Sequence, residues 1–292
     1  MIHAISGDGY FLQQIGASGF TGMVHSVFTH ALNIQSEANG EIFTLATKEM
    51  DNAPNTLIID LDTLGNLHIH QHDRVSVQHD QLLIEDKVQI AMQTATRWQC
   101  QLPIFPTDQT CLKTNVVTVK QFINLHGKSG GMKRSNSSIS EFEAETSRLL
   151  QQRTSLLREE LMNQRFDHFQ SYAIDLVGLG PGLTPSGDDF LVGLFAIIHL
   201  ENSPCYIYKQ LCESAINMMK PLTNAISYTT LKKAANGQVR ESICSLIYSI
   251  LYGTEADSIQ ALRKVLAIGS SSGTDIALGL ISGLEANIKL GG

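Results

Sequence analysis

"GLGPGLTPSGDDFLVG", residues 178–193, decides how the second half of this chain folds. Four glycines and two prolines within residues 178–187 rule out an ordinary helix across that first part. "FLVGLFAIIHL", residues 190–200, then runs on without a charged residue, so a rigid loop must hand over to a buried helix. Two adjacent carboxylates, Asp188 and Asp189, stand at the junction. Thr184 before Pro185 suits an N-cap followed by proline at the first helical position. Ser186 is an alternative cap, with Asp189 three residues later as the acid of a capping box.

The chain uses this device twice. "SGDDFLVGL" (186–194) and "SGTDIALGL" (272–280) share S-G-x-D-x-x-x-G-L, and each follows a glycine-bearing loop. Asp188, Asp189 and Asp275 then fall in first turns, where the helix dipole favours negative charge. Gly193 and Gly279 permit close helix contact. Caps and turns alone account for much of this pattern. Three features point further: the first loop is longer than a cap requires, it brings two acids, and a second copy exists. Backbone N–H groups at a glycine-rich helix start bind anions. An aspartate beside them can hold a divalent cation such as Mg²⁺ or accept hydrogen bonds from a substrate amide. The expected site therefore lies between the two loops and takes a small anion. Asp188, Asp189 and Asp275 are its catalytic or metal-holding candidates. Gly180, Gly182, Thr184, Ser186, Gly187, Ser272 and Gly273 are its binding candidates.

Outward from this segment the chain changes character near its middle. Between Gly19 and Lys120 lie short alternating or β-branched stretches: "GMVHSVF", "EIFTLAT", "TLIIDL", "NLHIH", "DRVSVQ", "QLLIEDKVQI" and "TNVVTV". Turn signals such as "EANGE" and "DNAPN" divide them. "VHSVFTHALNI" is open to a short helix instead. From Glu141 the period becomes helical, with Phe142, Leu149, Leu150, Leu156, Leu157 and Leu161 in the first long segment. Further helices are expected near 206–219, 223–235, 238–252, 255–266 and 274–289. The expected fold is α+β: a β-rich barrel or sandwich-like domain over 1–125, a linker over 126–140, and a mainly helical domain over 141–292. The linker "HGKSGGMKRSNSSIS" contains a G-K-S triplet, but position 122 is Phe where a phosphate loop needs glycine, so that motif is rejected.

Composition bounds the function. Hydrophobic residues are 43% and charged residues 17% of the chain, as in a well-buried globular protein. A formal net charge of -7 disfavours sequence-independent binding to nucleic acid or anionic membrane. The cysteines, at 100, 111, 205, 212 and 244, form neither C-x-x-C nor a metal spacing, which suits a reducing cytoplasm. No signal peptide is read in the first residues, and the apolar run 190–200 is too short to cross a bilayer. On a strand, His68, His70 and His72 would share one face; their separation of nearly 7 Å favours a solvated face over a zinc site. His25 and Ser26 would point to opposite faces of a strand, which argues against a nucleophile and base, and Asn33 completes a polar set read as turn satisfaction. Trp98 is read as a packing residue.

"GLGPGLTPSGDDFLVG" resembles the signature of the AllH family, a bacterial family whose named member is a subunit of oxamate carbamoyltransferase from anaerobic allantoin degradation. "ISYTTLKKAANGQVRESICSLI" (226–247) and "VLAIGSSSGTDIALGLISG" (265–283) are similar to two further family segments, and "GMVHSVFTHALNI" to its early strand and turn. The first of these adds Ser227 to the binding candidates. The resemblance implies a carbamoyl transfer, in which oxamate and carbamoyl phosphate give oxalurate and phosphate, in purine nitrogen catabolism. It also implies a cytoplasmic multi-subunit enzyme with a partner like succinyl-CoA synthetase. The "STRT"-type motif of ordinary carbamoyltransferases is absent. Lys232, Lys233 and Arg240 are nearby cations in the sequence, read as a solvated helix face. Two other readings stand beside the transferase: a non-catalytic assembly subunit, and a metal-dependent enzyme acting on another phosphorylated or acyl substrate.

Overall fold

The computed structural model describes residues 1–15, 19–133 and 140–291. The chain divides into two units, Met1–Cys100 and Gln101–Gly292. The division lies well before residues 126–140, the expected linker. The first part of that segment belongs to the second unit, and residues 134–139 lie outside the described residues.

The first unit is a barrel. Its strands are β1 (Ile2–Asp8), β2 (Thr21–Val27), β3 (Ala31–Ser36), β4 (Ile42–Thr47), β5 (Thr56–Ile59), β6 (Arg74–Gln78), β7 (Gln81–Ile84), β8 (Val88–Ala91) and β9 (Thr96–Trp98). Hydrogen bonding runs β5-β4-β3-β2-β6-β7-β8-β1, and β1 pairs back onto β5 to close eight strands. Ile2 and His3 pair in parallel with β8, whereas Ser6 to Asp8 pair in parallel with β9. Alternation is plain in β6, where Val75 and Val77 are buried between more exposed neighbours. Leu32, Ile34, Leu45, Leu57, Ile59, Leu82, Ile84 and Ile90 fill the interior. The short helix α1 (Gly9–Ile15) adds Phe11, which meets Phe43 edge-on at 5.6 Å.

Three expectations for this region change. "TNVVTV" is not a strand but the middle of helix α2 (Thr110–His126) in the second unit. Leu112, Val116, Val119 and Ile123 are its buried apolar residues, at spacings of four, three and four, so helical packing overrides β-branched propensity. "NLHIH" is a 3-10 turn followed by irregular chain, and His68 and His72 have φ of 49° and 74°. Left-handed residues break the alternation that would align the three imidazoles. "GMVHSVFTHALNI" forms the β2–β3 hairpin, with a bulge between Val24 and Ser26. The bulge abolishes the opposite-face expectation: His25 Nδ1 and Ser26 Oγ lie 3.2 Å apart, and Asn33 Nδ2 donates to Ser26 Oγ at 3.0 Å.

The second unit is helical: α3 (Glu141–Met162), α4 (Phe169–Ile174), α5 (Ser186–Ile198), α6 (Lys209–Met219), α7 (Ala225–Ala234), α8 (Glu241–Tyr252), α9 (Glu255–Leu266) and α10 (Ser272–Gly291) join α2. A capping box starts α3, Glu143 N–H donating to Ser140 Oγ at 3.2 Å and Ser140 N–H to Glu143 Oε2 at 2.9 Å. Every residue of α5 is buried, so this apolar helix is the unit's axis. Neither Thr184 nor Ser186 caps it through its side chain.

The closest packing joins α5 to α10. A Cβ built on Gly193 would stand 2.0 Å from the Ile276 carbonyl oxygen, and one on Gly279 would stand 2.0 Å from that of Phe190. Each glycine lies four residues after a motif aspartate, and each carbonyl belongs to the residue next after the other aspartate. The contact is reciprocal, as a local two-fold relation requires. Gly193→Ala and Gly279→Ala are each expected to destabilise the chain by at least about 2 kcal/mol in urea unfolding, because backbone sits where the methyl would go.

Candidate functional site

The two-fold relation extends to the helix starts. Gly187 N–H donates to the Leu179 carbonyl at 2.9 Å, and Gly273 N–H to that of Ile268 at 3.0 Å. Cβ atoms at these glycines would lie 1.9 Å from the carbonyl oxygens of Leu176 and Val265 respectively. Each S-G pair is therefore seated on a turn of the same construction. The cost to the anion-site expectation is direct: both glycine amides are already engaged. Of the other binding candidates, Gly180 (φ 116°) packs against Ser186, and Gly182 (φ 98°) is exposed.

The motif's third residue secures neighbouring chain. Asp188 Oδ1 accepts from Gly178 N–H at 2.7 Å, and Oδ2 accepts from the hydroxyls of Thr223 and Ser227 at 2.5 and 2.6 Å. Burial raises its pKa while these three donors pull the other way. Thr274, the equivalent residue of the second copy, accepts from Lys128 N–H at 2.8 Å. Ser227 thus spends its proton on Asp188.

The fourth residue is different. Asp189 is 4% exposed and Asp275 0%, yet Oδ2 of each has no hydrogen-bond partner. Ser186 Oγ is likewise buried, and its hydroxyl acts on the Asp275 carboxyl. Burial pushes Asp189 up to about 7, against the pull of the Ser272 and Thr184 hydroxyls, and the charges of Asp275 and Asp188 add to the rise. Burial pushes Asp275 up to about 6, against Met132 N–H and the hydroxyls of Ser186 and Ser271. Each carboxyl is thus influenced by the serine of the opposite motif, Asp189 by Ser272 and Asp275 by Ser186. Ser272 Oγ also lies 2.9 Å from Thr184 Oγ1.

A third wall comes from Gly127–Lys133, at the start of the expected linker. Met132 N–H donates to Asp275 Oδ1 at 2.8 Å. A Cβ on Gly131 would stand 2.1 Å from Asp275 Oδ2 and 2.5 Å from Ser186 Oγ. Lys128 Nζ donates to the Gly269 carbonyl and Lys133 Nζ to that of Gly127, both at 2.7 Å. The sequence reading missed this wall. The glycine pair Gly130–Gly131 was its one available signal.

The structure therefore brings together Asp189, Asp275, Ser186, Ser272 and Thr184. Lys232 and Lys233 end α7, where cations offset the helix dipole. The free carboxylate and hydroxyl oxygens are hard donors of the kind Mg²⁺ takes, with ligand oxygens needed to complete a shell. Among the described residues no three His, Cys, Asp or Glu side chains group as metal ligands, His68, His70 and His72 included.

The sequence model described as oxamate carbamoyltransferase subunit AllH matches residues 176–284, and that of the AllH family N-terminal domain matches residues 3–97. No solved structure matches the chain with significance. Among the described residues no helix is long and apolar enough to cross a membrane.

Two substitutions separate the adjacent aspartates. Asp188→Ala strands three donors, the Ser227 hydroxyl among them buried, and is expected to destabilise by about 3 kcal/mol in denaturant unfolding. Asp189 has a raised folded-state pKa, so the folded chain binds the extra proton and stability falls as pH rises from its ordinary 3.8 towards about 7. Asp189→Asn should flatten that slope and gain on the order of 2 kcal/mol at pH 8, read as a higher Tm.

Proposed function

The chain belongs to the AllH family, and on that premise we propose that it is a subunit of an oxamate carbamoyltransferase whose small substrate binds where α5 crosses α10. The observation that carries this reading is the pair Asp189 and Asp275, two carboxyls withdrawn from water with one unpartnered oxygen each. A buried oxygen without a protein partner calls for one from water, an ion or a ligand. Their pKa values, about 7 and about 6, suit groups that exchange protons near neutral pH.

Carbamoyl transfer to oxamate joins an amide nitrogen to the carbamoyl carbon, expels phosphate, and frees a proton from that nitrogen. A carboxylate beside the nitrogen orients it and receives the proton. Asp275, already accepting an N–H, fits that task, and Asp189 supplies or takes up a proton on the opposite side. Phosphate finds less here: the Gly187 and Gly273 amides are used internally, and Lys128 and Lys133 already hold backbone carbonyls. Neutralising the leaving group then falls to Mg²⁺ or to a partner subunit. When bound, Mg²⁺ would supply positive charge to phosphate oxygens, with Asp189 and Asp275 as its protein ligands.

The test is turnover of the reconstituted complex with carbamoyl phosphate and oxamate. Asp189→Asn and Asp275→Asn should each lower kcat by at least about 100-fold while subunit association, followed by size-exclusion chromatography, is retained. Unchanged turnover would show that this chain only assembles the enzyme.

A further inference from the structure

Strands β2, β3 and β4 carry a chain of polar side chains that has no part in the reaction proposed for α5 and α10. Thr44 Oγ1 donates to Asn33 Oδ1 at 2.8 Å, and Asn33 Nδ2 donates to Ser26 Oγ at 3.0 Å. Ser26 Oγ in turn lies 3.2 Å from His25 Nδ1. What each atom can do sets the direction of the chain. An amide NH₂ only donates, so Ser26 Oγ accepts there and its own proton is directed to the imidazole. His25 Nδ1 is then the acceptor, and the proton of the neutral ring sits on Nε2. This is the order of an activated alcohol: a base within reach of the hydroxyl proton, and a donor on the same oxygen to steady charge as the proton leaves.

The backbone is shaped to make this arrangement. Along a regular strand His25 and Ser26 would face opposite ways, and the bulge between Val24 and Ser26 turns them together. Ser26 stays in register opposite Asn33, and Asn33 lies opposite Thr44, so each contact crosses one step of the ladder. Asn33 is buried, whereas His25 and Ser26 are half-buried and keep contact with solvent. Met23, Val27 and Phe28, from β2 and the turn after it, are exposed apolar side chains against which an acyl chain can rest.

We propose that Ser26 is a nucleophile with His25 as its general base, and that the pair takes the acyl group of an activated ester. Ser26 Oγ bonds to the acyl carbon as its proton passes to His25 Nδ1. The ester C–O bond breaks, and the departing alcohol oxygen receives that proton. Water then repeats the exchange: it loses a proton to His25, attacks the acyl carbon, and releases Ser26 Oγ, which recovers its hydrogen. The net reaction is ester hydrolysis through an acyl-serine. It does not depend on the α5–α10 site, so either assignment can fail alone.

The full chain incubated with p-nitrophenyl acetate tests the proposal. It should release p-nitrophenolate in a stoichiometric burst and carry an acetyl group that peptide mass spectrometry places on Ser26. Ser26→Ala should abolish the burst, and His25→Ala should slow acetylation at least about 100-fold, both variants keeping the far-ultraviolet circular dichroism of the parent chain. A burst that survives Ser26→Ala, or acetylation at the parent rate in His25→Ala, would overturn the proposal. A fluorophosphonate, which exchanges its fluoride for a serine oxygen, decides the point without any substitution. Its phosphorus should be found on Ser26, and a chain whose Ser26 stays unlabelled has no nucleophile there.

Discussion

The helical unit depends on one backbone-to-backbone contact. Gly193 and Gly279 let α5 and α10 approach until each helix touches the carbonyl of the other, and no residue with a side chain fits at either place. This approach brings two helix N-termini together, each with its outward N–H dipoles. Two carboxyls can be withdrawn from water there because two positive helix ends face them. With a wider crossing, the same aspartates would be ordinary solvated first-turn acids.

The repeated motif divides its labour by position. Serine and glycine seat the helix on the preceding turn, the third residue ties down a distant stretch of chain, and the fourth keeps a buried carboxyl oxygen without a partner. Asp188 and Asp189 are neighbours of the same type with opposite relations to stability. The first has its carboxylate fully bonded to Gly178, Thr223 and Ser227, whereas the second keeps an unpartnered oxygen in a dry place. Strain of that kind persists only where the surrounding packing over-determines it, and the glycine crossing does so here.

Much of this was legible from residue order. The strands β6 to β8 alternate cleanly, α3 and α5 carry plain helical patterns, and the doubled S-G-x-D motif placed Asp188, Asp189 and Asp275 in the first turns of their helices. Other features could not be read, for physical reasons. β1 ("IHAISGD") mixes small and polar residues, and its strand character comes from pairing with β5, β8 and β9 far along the chain. α2 is built from β-branched residues whose helical state is imposed by packing. Asp188 and Asp189 differ only in partners that are remote in sequence. The Met132 contribution is a backbone N–H, which leaves no mark on amino-acid type.

The barrel's closure has a consequence for how the first unit is made. β2 pairs with β3, and β6, β7 and β8 pair in succession, so each of these strands meets a partner soon after it leaves the ribosome. β1 has none until β5 is synthesised, and its other edge stays open until β8 and β9 follow. Local hairpins form quickly, whereas a junction between distant strands is slow and leaves an edge available for pairing with other chains. The final event in this unit's birth is therefore the shutting of a ring by its oldest strand, and until then the nascent chain carries an open edge that invites chaperones or its own kind.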